Sequence, residues 1–430
     1  MRCESEIPLF LLRILLLNQC FYPDVVATAQ HLTDLARGLV DRGHEVTVIT
    51  SDRGYDDPSR RFPHSEVWKT IKIIRIRALA LGKETKLKRA LNFGSFLSAC
   101  ALRLLTLRRF DVVVALTSPP LISFLAALFV AIRGGRFCFW VMDLNPDEAI
   151  AAGWLKENTL TAQLLKRMLN YSLRRAERTI VLDRFMKDRV LKKGIGEDRI
   201  SVLAPWSHDD SVSYSPEGRA AFRHNHKLDG KFVVMYSGNH SPCHPLDTLL
   251  DAALSLSSKP EYLFCFVGGG SEQIKVKEFA ERHRLGNIVC LPYQPLNQLS
   301  GSLSAADLHV VVMGNDFAGI VHPCKIYNII TIGVPTLYIG PPQSHVADLA
   351  ADMCANMIFT AHHGDHELVV KQIIQAAAQK ELGSELVNEQ VLPIRHYRFS
   401  KHALLPQMIN LIEFNQTNGA QVPQAVAELR

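Results

Sequence analysis

Short apolar runs alternate along this chain with stretches in which apolar positions recur every three or four residues. Residues 9–17 are apolar except for Arg13. That run is too short for the roughly 30 Å of a bilayer interior, and it is followed by Phe21-Tyr22-Pro23-Asp24 rather than by small residues. It predicts a buried first strand, not a leader segment. Leu32, Leu35, Ala36, Leu39 and Val40 then mark one helix face, with Gly43 as its stop before a strand at 46–49. Further strands are predicted at 71–76, 112–116, 137–142, 179–182 and 200–203. The apolar residues 121–132, bounded by Pro119-Pro120 and Arg133-Gly134-Gly135, predict a buried helix.

The periodicity stops after Pro205, and residues 211–218, rich in Ser with a Pro and a Gly, read as a hinge or linker. A second series follows, with strands predicted at 232–236, 262–267, 288–291, 308–313, 336–339 and 357–359. Leu246, Leu249, Leu250, Ala253 and Leu254 mark the helix after the first of these. Two blocks of strand–helix repeats predict an α/β protein of two Rossmann-like domains, residues 1–205 and 206–399, each a mostly parallel sheet under helices. A last helix near 400–416 is able to pack back on the first domain, and 417–430 form a polar tail. Ligands of such sheets sit at the carboxyl ends of the strands, here facing the cleft between the domains.

Composition narrows the class. The chain has 430 residues, 47% hydrophobic and 21% charged, which excludes disorder, collagen and a disulfide-stapled miniprotein. Nine cysteines without a Cys-x-x-Cys pair point to a reducing, cytoplasmic setting and to no structural zinc. Cys138, Cys265 and Cys290 lie in apolar runs and read as small buried hydrophobes. The net charge of +6 is uneven, because residues 60–109 carry 13 Lys and Arg against Glu66 and Glu84. Such a block suits an anionic surface or, equally, a solvated loop. With few interleaved aromatics for base stacking, Trp68 and Phe93 being the nearest, nucleic acid is the weaker partner.

The loops then limit the chemistry. Residues 18–27 contain no glycine, against a nicotinamide or flavin fingerprint. No Gly-x-Ser-x-Gly elbow, phosphate loop or paired metal-ligand spacing appears, so no metal is expected. The loop Tyr236-Ser237-Gly238-Asn239-His240-Ser241-Pro242-Cys243-His244-Pro245 leads to a helix start. Free N–H groups there, with Gly238, His240 and His244, can hold a phosphate; the alternative is a capped helix with surface histidines. Gly319-Ile320-Val321-His322-Pro323-Cys324-Lys325-Ile326-Tyr327-Asn328 repeats the design, collecting a cation and no acid. Two such starts at one sheet edge would make a diphosphate clamp. Gly268-Gly269-Gly270 suits a tight turn as readily as a ligand contact. Asp143, Asp147 and Glu148 follow a predicted strand, where one could orient or deprotonate a hydroxyl, or the last two could simply favour a helix start.

In this order and spacing the motifs resemble the family-4 retaining glycosyltransferases with the two-domain GT-B fold, above all those of bacterial exopolysaccharide and O-antigen assembly. In the first half the resemblance is carried by Phe21-Tyr22-Pro23-Asp24, Gly43-His44-Glu45-Val46, Thr117-Ser118-Pro119-Pro120 and Asp143-Leu144-Asn145-Pro146-Asp147. In the second it is carried by Tyr236-Ser237-Gly238-Asn239-His240, Phe266-Val267-Gly268-Gly269-Gly270, Ala305-Ala306-Asp307, Lys325-Ile326-Tyr327-Asn328 and Gly333-Val334-Pro335. The family's Arg and Lys in the Gly238 loop fall on Asn239 and His244, and its paired glutamates on Ile320 and Asn328. The glycines usual in the first-domain loop are Val25-Val26-Ala27.

The resemblance implies a nucleoside-diphosphate sugar as substrate and no cofactor. Its base would lie near Tyr293 and Gln294, with the donor bounded by Gly238, Asn239, Gly269 and Asn328. Its diphosphate would meet Lys325 with His240, His244 and His322. A saccharide or polyprenyl-diphosphate-linked acceptor would arrive past Asp143 and Asp147, with Asp143 and Lys325 as the catalytic pair. It also gives the basic block a use, as a peripheral contact with anionic lipid on the inner face of the plasma membrane. A nucleotide-sugar epimerase of the same fold and a non-catalytic nucleotide-sugar-binding protein are the alternatives.

Overall fold

The computed structural model describes residues 11–413 apart from 56, 58, 80, 83–85, 354–356 and 382–397. Lys83 of the basic block and the tail 417–430 lie outside the described residues. The first half forms an eight-stranded sheet of β1 (Arg13–Leu17), β2 (Glu45–Ser51), β3 (Ser65–Trp68), β4 (Ile71–Ile76), β5 (Val112–Ala115), β6 (Arg136–Trp140), β7 (Arg178–Val181) and β8 (Ile200–Val202). Its order is β3-β4-β2-β1-β5-β6-β7-β8, parallel except for β3, which pairs antiparallel with β4 at the edge. The second half forms a six-stranded sheet of β9 (Phe232–Asn239), β10 (Tyr262–Gly269), β11 (Ile288–Leu291), β12 (Leu308–Val312), β13 (Thr336–Ile339) and β14 (Ile358–Ala361), ordered β11-β10-β9-β12-β13-β14. Its pairings are parallel.

The central strands are apolar because helices cover both faces. Val112–Ala115 and Leu308–Val312 are buried at every position. Cys138 and Cys265 are buried as expected, whereas Cys290 on edge strand β11 is only partly covered. The apolar residues expected as a helix form Ile122–Arg133.

Strand order reverses between β1 and β5 in one sheet and between β9 and β12 in the other. Each reversal opens a crevice at the carboxyl ends, because the connections leaving the two strands run to opposite faces.

Two elements depart from the sequence reading. β3 was not anticipated. The expected linker contains the helix Pro216–Asn225, started by Ser215, whose Oγ accepts from the Gly218 N–H at 3.1 Å, and by Pro216 at the first helical position. This helix packs so tightly on the helix Leu299–Ser304 that Gly218 and Gly301 meet backbone to backbone, where neither tolerates a side chain.

The last helix, Lys401–Glu413, returns to the first sheet's side. Glu413 takes an ion pair from Arg42 at 2.9 Å and lies 2.8 Å from His44 Nε2, and Lys401 Nζ reaches Asp34 at 2.6 Å.

Candidate active site

At the carboxyl edge of the second sheet, β9 runs on past Tyr236 so that Gly238 and Asn239 pair with Gly268 and Gly269 of β10. Gly238 (φ +133°) and Gly268 (φ +131°) take a backbone conformation that L side chains avoid. A side chain at Gly268 would strike the Gly238 carbonyl, and one at Gly238 would meet the Lys325 ammonium.

Lys325 opens the helix Lys325–Ile332, which has no acid in its first turn. Its Nζ is buried, without a hydrogen-bond partner among the described residues, and sits 3.7 Å from the centre of the Tyr236 ring. Burial alone pulls the ammonium down to about 7, because a charge removed from water without a counter-charge favours its neutral form.

The two histidines of the Gly238 loop lie beside this lysine. His240 is fully buried, edge-on to Tyr236, with both ring nitrogens unpartnered among the described residues. His244 Nδ1 lies 2.7 Å from the Val312 carbonyl, which fixes the proton on that nitrogen. Burial and then Lys325 push His240 to about 4 and His244 to about 3. Neither carries a charge at neutral pH in the free protein, so the expected sharing of phosphate charge among cations reduces to Lys325. His240 offers a ring N–H instead, whereas the one N–H of neutral His244 is already given to the Val312 carbonyl.

The expected pair of helix starts is changed in the same way. The helix after the Gly238 loop begins at Asp247 and carries that acid in its first turn. Lys325 therefore faces a strand end and loop rather than a second bare N-terminus.

The other expected residues divide into two groups. Tyr293 is half exposed and lies across Gly269, its OH donating to the Gly269 carbonyl at 3.3 Å, and Asn239 is exposed beside it. His322, Asn328 and Asp147 are committed elsewhere. His322 has Nδ1 2.8 Å from Asp183 Oδ2 and Nε2 2.7 Å from the Tyr327 OH, so it braces the two domains instead of presenting a free N–H. Asn328 Oδ1 accepts from the His208 N–H at 3.0 Å, which ties it to the interdomain connection. Asp147 pairs with Lys193 at 2.6 Å.

From the first domain, the loop after β6 brings carboxylates to the domain junction, where Glu148 meets Cys243. Asp143 follows β6, and burial together with the charge of Glu148 raises it to about 8. Glu148 Oε2 accepts from Asn145 Nδ2 at 2.8 Å, and Cys243 of the second domain points its thiol at Glu148 Oε1 from 3.7 Å. The domains are also joined through the loop after β12. Ile320 O accepts from the Leu144 N–H at 2.9 Å, Ala318 O accepts from Arg189 Nε at 2.7 Å, and Gly319 lies against the backbone of Phe185. Asp183 was absent from the sequence reading, and Tyr236 and Cys243 entered it only as members of the Gly238 loop without a role; no local spacing could have assigned them one, since the partners lie up to 139 residues away.

Asp183, His322 and His345 bring ligand atoms within 4.8 Å of one another, and all three residues are buried. They are the described residues best arranged for a metal ion. Both nitrogens of His322 are already hydrogen-bonded, however, and its ring stacks on His345 at 3.7 Å, which does not leave two imidazoles converging on one ion.

Comparison with known proteins places this geometry. Residues 27–206 match the glycosyl transferase 4-like domain. The chain is 25% identical over 339 residues, 75% of its length and 82% of the relative's, to the Escherichia coli protein named as a colanic acid biosynthesis glycosyl transferase, WcaI. Among solved structures it is similar to Anabaena HepE in complex with UDP-glucose, with a TM-score of 0.68 and 17% identity over 93% of this chain and 98% of that one. It is also similar to WaaG, a glycosyltransferase involved in lipopolysaccharide biosynthesis, with a TM-score of 0.66 and 18% identity over 93% and 99%. The protein has the GT-B fold, two α/β domains facing one cleft. It is a glycosyltransferase.

Proposed function

We propose that this enzyme transfers a sugar, with retention of configuration, from a nucleoside-diphosphate sugar to a saccharide or polyprenyl-diphosphate-linked acceptor in surface-polysaccharide assembly. The observation that carries this reading is the buried Lys325 ammonium against Gly238, without a hydrogen-bond partner among the described residues, at the crevice where the second sheet reverses. A buried cation without a counter-ion is costly unless a ligand supplies the anion. A diphosphate there would also meet the N-terminus of the helix Lys325–Ile332 and the ring N–H group of His240. Tyr293 would take the base, as a ring lying over glycine does when it stacks. The named activities of WcaI and WaaG and the UDP-glucose bound by HepE support the same donor and product class.

The chain's own work in this reading is electrostatic. As the sugar–phosphate bond breaks, negative charge grows on the diphosphate, and Lys325 with the helix N-terminus meets it in a water-poor cleft. No resident metal has a role in this reading. The acceptor hydroxyl approaches from the Asp143 side and attacks on the face the leaving group vacates, a donor phosphate oxygen taking its proton. Thermal unfolding with UDP, GDP, ADP and their glucose esters tests the donor site, because a ligand of the native state raises the unfolding temperature. A rise with one diphosphate series, lost in Lys325→Ala, is expected. Equal rises in both proteins would remove Lys325 from the site.

The first domain would rest on anionic lipid through the helix Lys86–Leu105, which buries Phe96 and Cys100 yet exposes Leu87, Leu91, Leu102 and Leu105 near Lys88, Arg89 and Arg103. Arg75, one of the block's cations, is buried and paired with the half-buried Glu66, and is no part of that surface. Among the described residues, no helix is long and apolar enough to cross a membrane.

A further inference from the structure

Between the domains lies a cavity of about 490 Å³ that neither Lys325 nor Asp143 lines. Small-molecule sites usually enclose about 300–1,000 Å³, so it has room for a sugar unit rather than for a lone ion. Its first-domain wall is one face of the helix Arg184–Leu191 and the residue after it. Arg184, Asp188 and Lys192 recur there every four residues, with Phe185 and Arg189 beside them. The opposite wall is Ala318 and Gln343, from the loops after β12 and β13.

The cations on this wall are answered unequally. Arg184 donates to both Asp348 oxygens, at 2.6 and 2.9 Å, which joins the domains, and it lies in the field of Asp188 as well. Arg189 gives its Nε to a neutral group, the Ala318 carbonyl, at 2.7 Å, and Lys192 is exposed. Among the described residues no carboxylate pairs with either of these two. Cations in a last turn suit the helix dipole, yet the dipole gives no reason for a space of this size in front of them. The cavity also adjoins the reaction side, because one loop touches both. Ala318 lines the cavity, Gly319 lies against Phe185, and the Ile320 carbonyl accepts from the N–H of Leu144, the residue after Asp143. Two residues of chain span at most about 7 Å.

We infer that this cavity is an acceptor subsite for an anionic group, a carboxylate or a phosphate carried about one sugar unit from the hydroxyl that reacts. Arg189 and Lys192 meet the charge through charge-assisted hydrogen bonds. Gln343 offers its amide to sugar hydroxyls, and Phe185 gives the ring an apolar neighbour. This rests on the glycosyltransferase reading with Asp143 on the acceptor side, and it adds the acceptor's class: an acidic glycan, or one attached through phosphate. Arg189 and Lys192 are then specificity residues rather than catalytic ones, since neither touches the reacting atoms.

Saturation-transfer NMR on the intact protein tests this by comparing glucose, glucuronate and a glucose phosphate ester at one ionic strength. Wild type, Lys192→Gln, the double variant Arg189→Gln with Lys192→Gln, and Lys325→Ala are measured, with circular dichroism confirming that each is folded. Lys192→Gln changes an exposed side chain only, so it stands even where losing the Arg189 bond to Ala318 disturbs the domain seam. Wild type and Lys325→Ala are expected to bind one of the acidic sugars about tenfold more tightly than glucose. Lys192→Gln should lose about two- to fivefold of that preference, and the double variant all of it. Whichever acidic sugar is favoured tells carboxylate from phosphate. A preference absent from wild type, or kept in the double variant, overturns the proposal. So does a preference lost in Lys325→Ala alone, which would place the anion at the donor site. The sugars carry no nucleotide, so a failure of nucleoside diphosphates to bind at Lys325 would strike the donor assignment separately.

Discussion

The two ends of β12 carry buried charges handled in opposite ways. At its amino end Asp307 is saturated: Arg219, Arg223 and Lys380 pair with it, and the Val233 N–H donates to it at 2.8 Å. At its carboxyl end Lys325 has no partner among the described residues. The first arrangement satisfies itself and locks the helix Pro216–Asn225 to the sheet, so its role ends with the fold. The second leaves a cation that only something outside the described chain can neutralise. Burial is common to both, and compensation separates a structural charge from a functional one.

Breaking the saturated end should have the largest effect. Asp307→Ala strands three cations and is expected to cost about 3–5 kcal/mol of stability, read by denaturant unfolding. If it costs no more than a surface substitution, the contrast fails. Lys325→Ala should instead weaken binding of the responsive nucleoside diphosphate about ten- to a hundredfold by calorimetry, with the fold intact. Lys325→Met should go further and stabilise the unliganded chain by about 1–4 kcal/mol, since an apolar side chain replaces an uncompensated charge. The gain has a pH signature. Lys325 titrates near 7 when folded, against an ordinary lysine value of 10.5 once the chain is unfolded and the ammonium is back in water. Between those pH values the unfolded chain holds the extra proton, and the wild-type protein gains stability as pH rises. The Met variant should lack that slope.

Smaller effects sharpen the comparison on the opposite face. Asp143 is raised from 3.8 to about 8, so the folded chain keeps a proton the unfolded chain has lost, and stability falls as pH climbs through that window. Asp143→Asn should flatten the fall in unfolding midpoint measured across it. Least of all, neutralising Lys88 and Arg103 should weaken sedimentation with anionic vesicles by roughly 1 kcal/mol per cation, and less at high salt. Unchanged sedimentation would count against lipid contact.

The alternation of strands and helices was legible because a strand buried on both faces must be apolar, and that needs no knowledge of its neighbours. The missed elements are those where local signals were weak or misread. Edge strand β3 is short and half solvated. The helix at Pro216 hides in a Ser-rich stretch, although Ser215, Pro216 and Glu217 form a helix start once the partner at Gly301 is known. Among the site residues, Gly238 was readable as a glycine past a strand end and Lys325 as a cation at a helix start. His322, Asn328 and Asp147 were readable as polar groups, but their partners were not.

By itself the sequence determined two parallel-sheet domains and the residue types at the carboxyl ends of their strands, since periodicity and turn chemistry are local. Only the tertiary structure decided which charges are answered. Asp183 meets His322 across 139 residues of chain and Arg42 meets Glu413 across 371. Pairing at a few ångströms, and the dielectric around it, depend on where distant segments come to rest. It is therefore the fold that turned one lysine among many into a buried cation without a hydrogen-bond partner among the described residues.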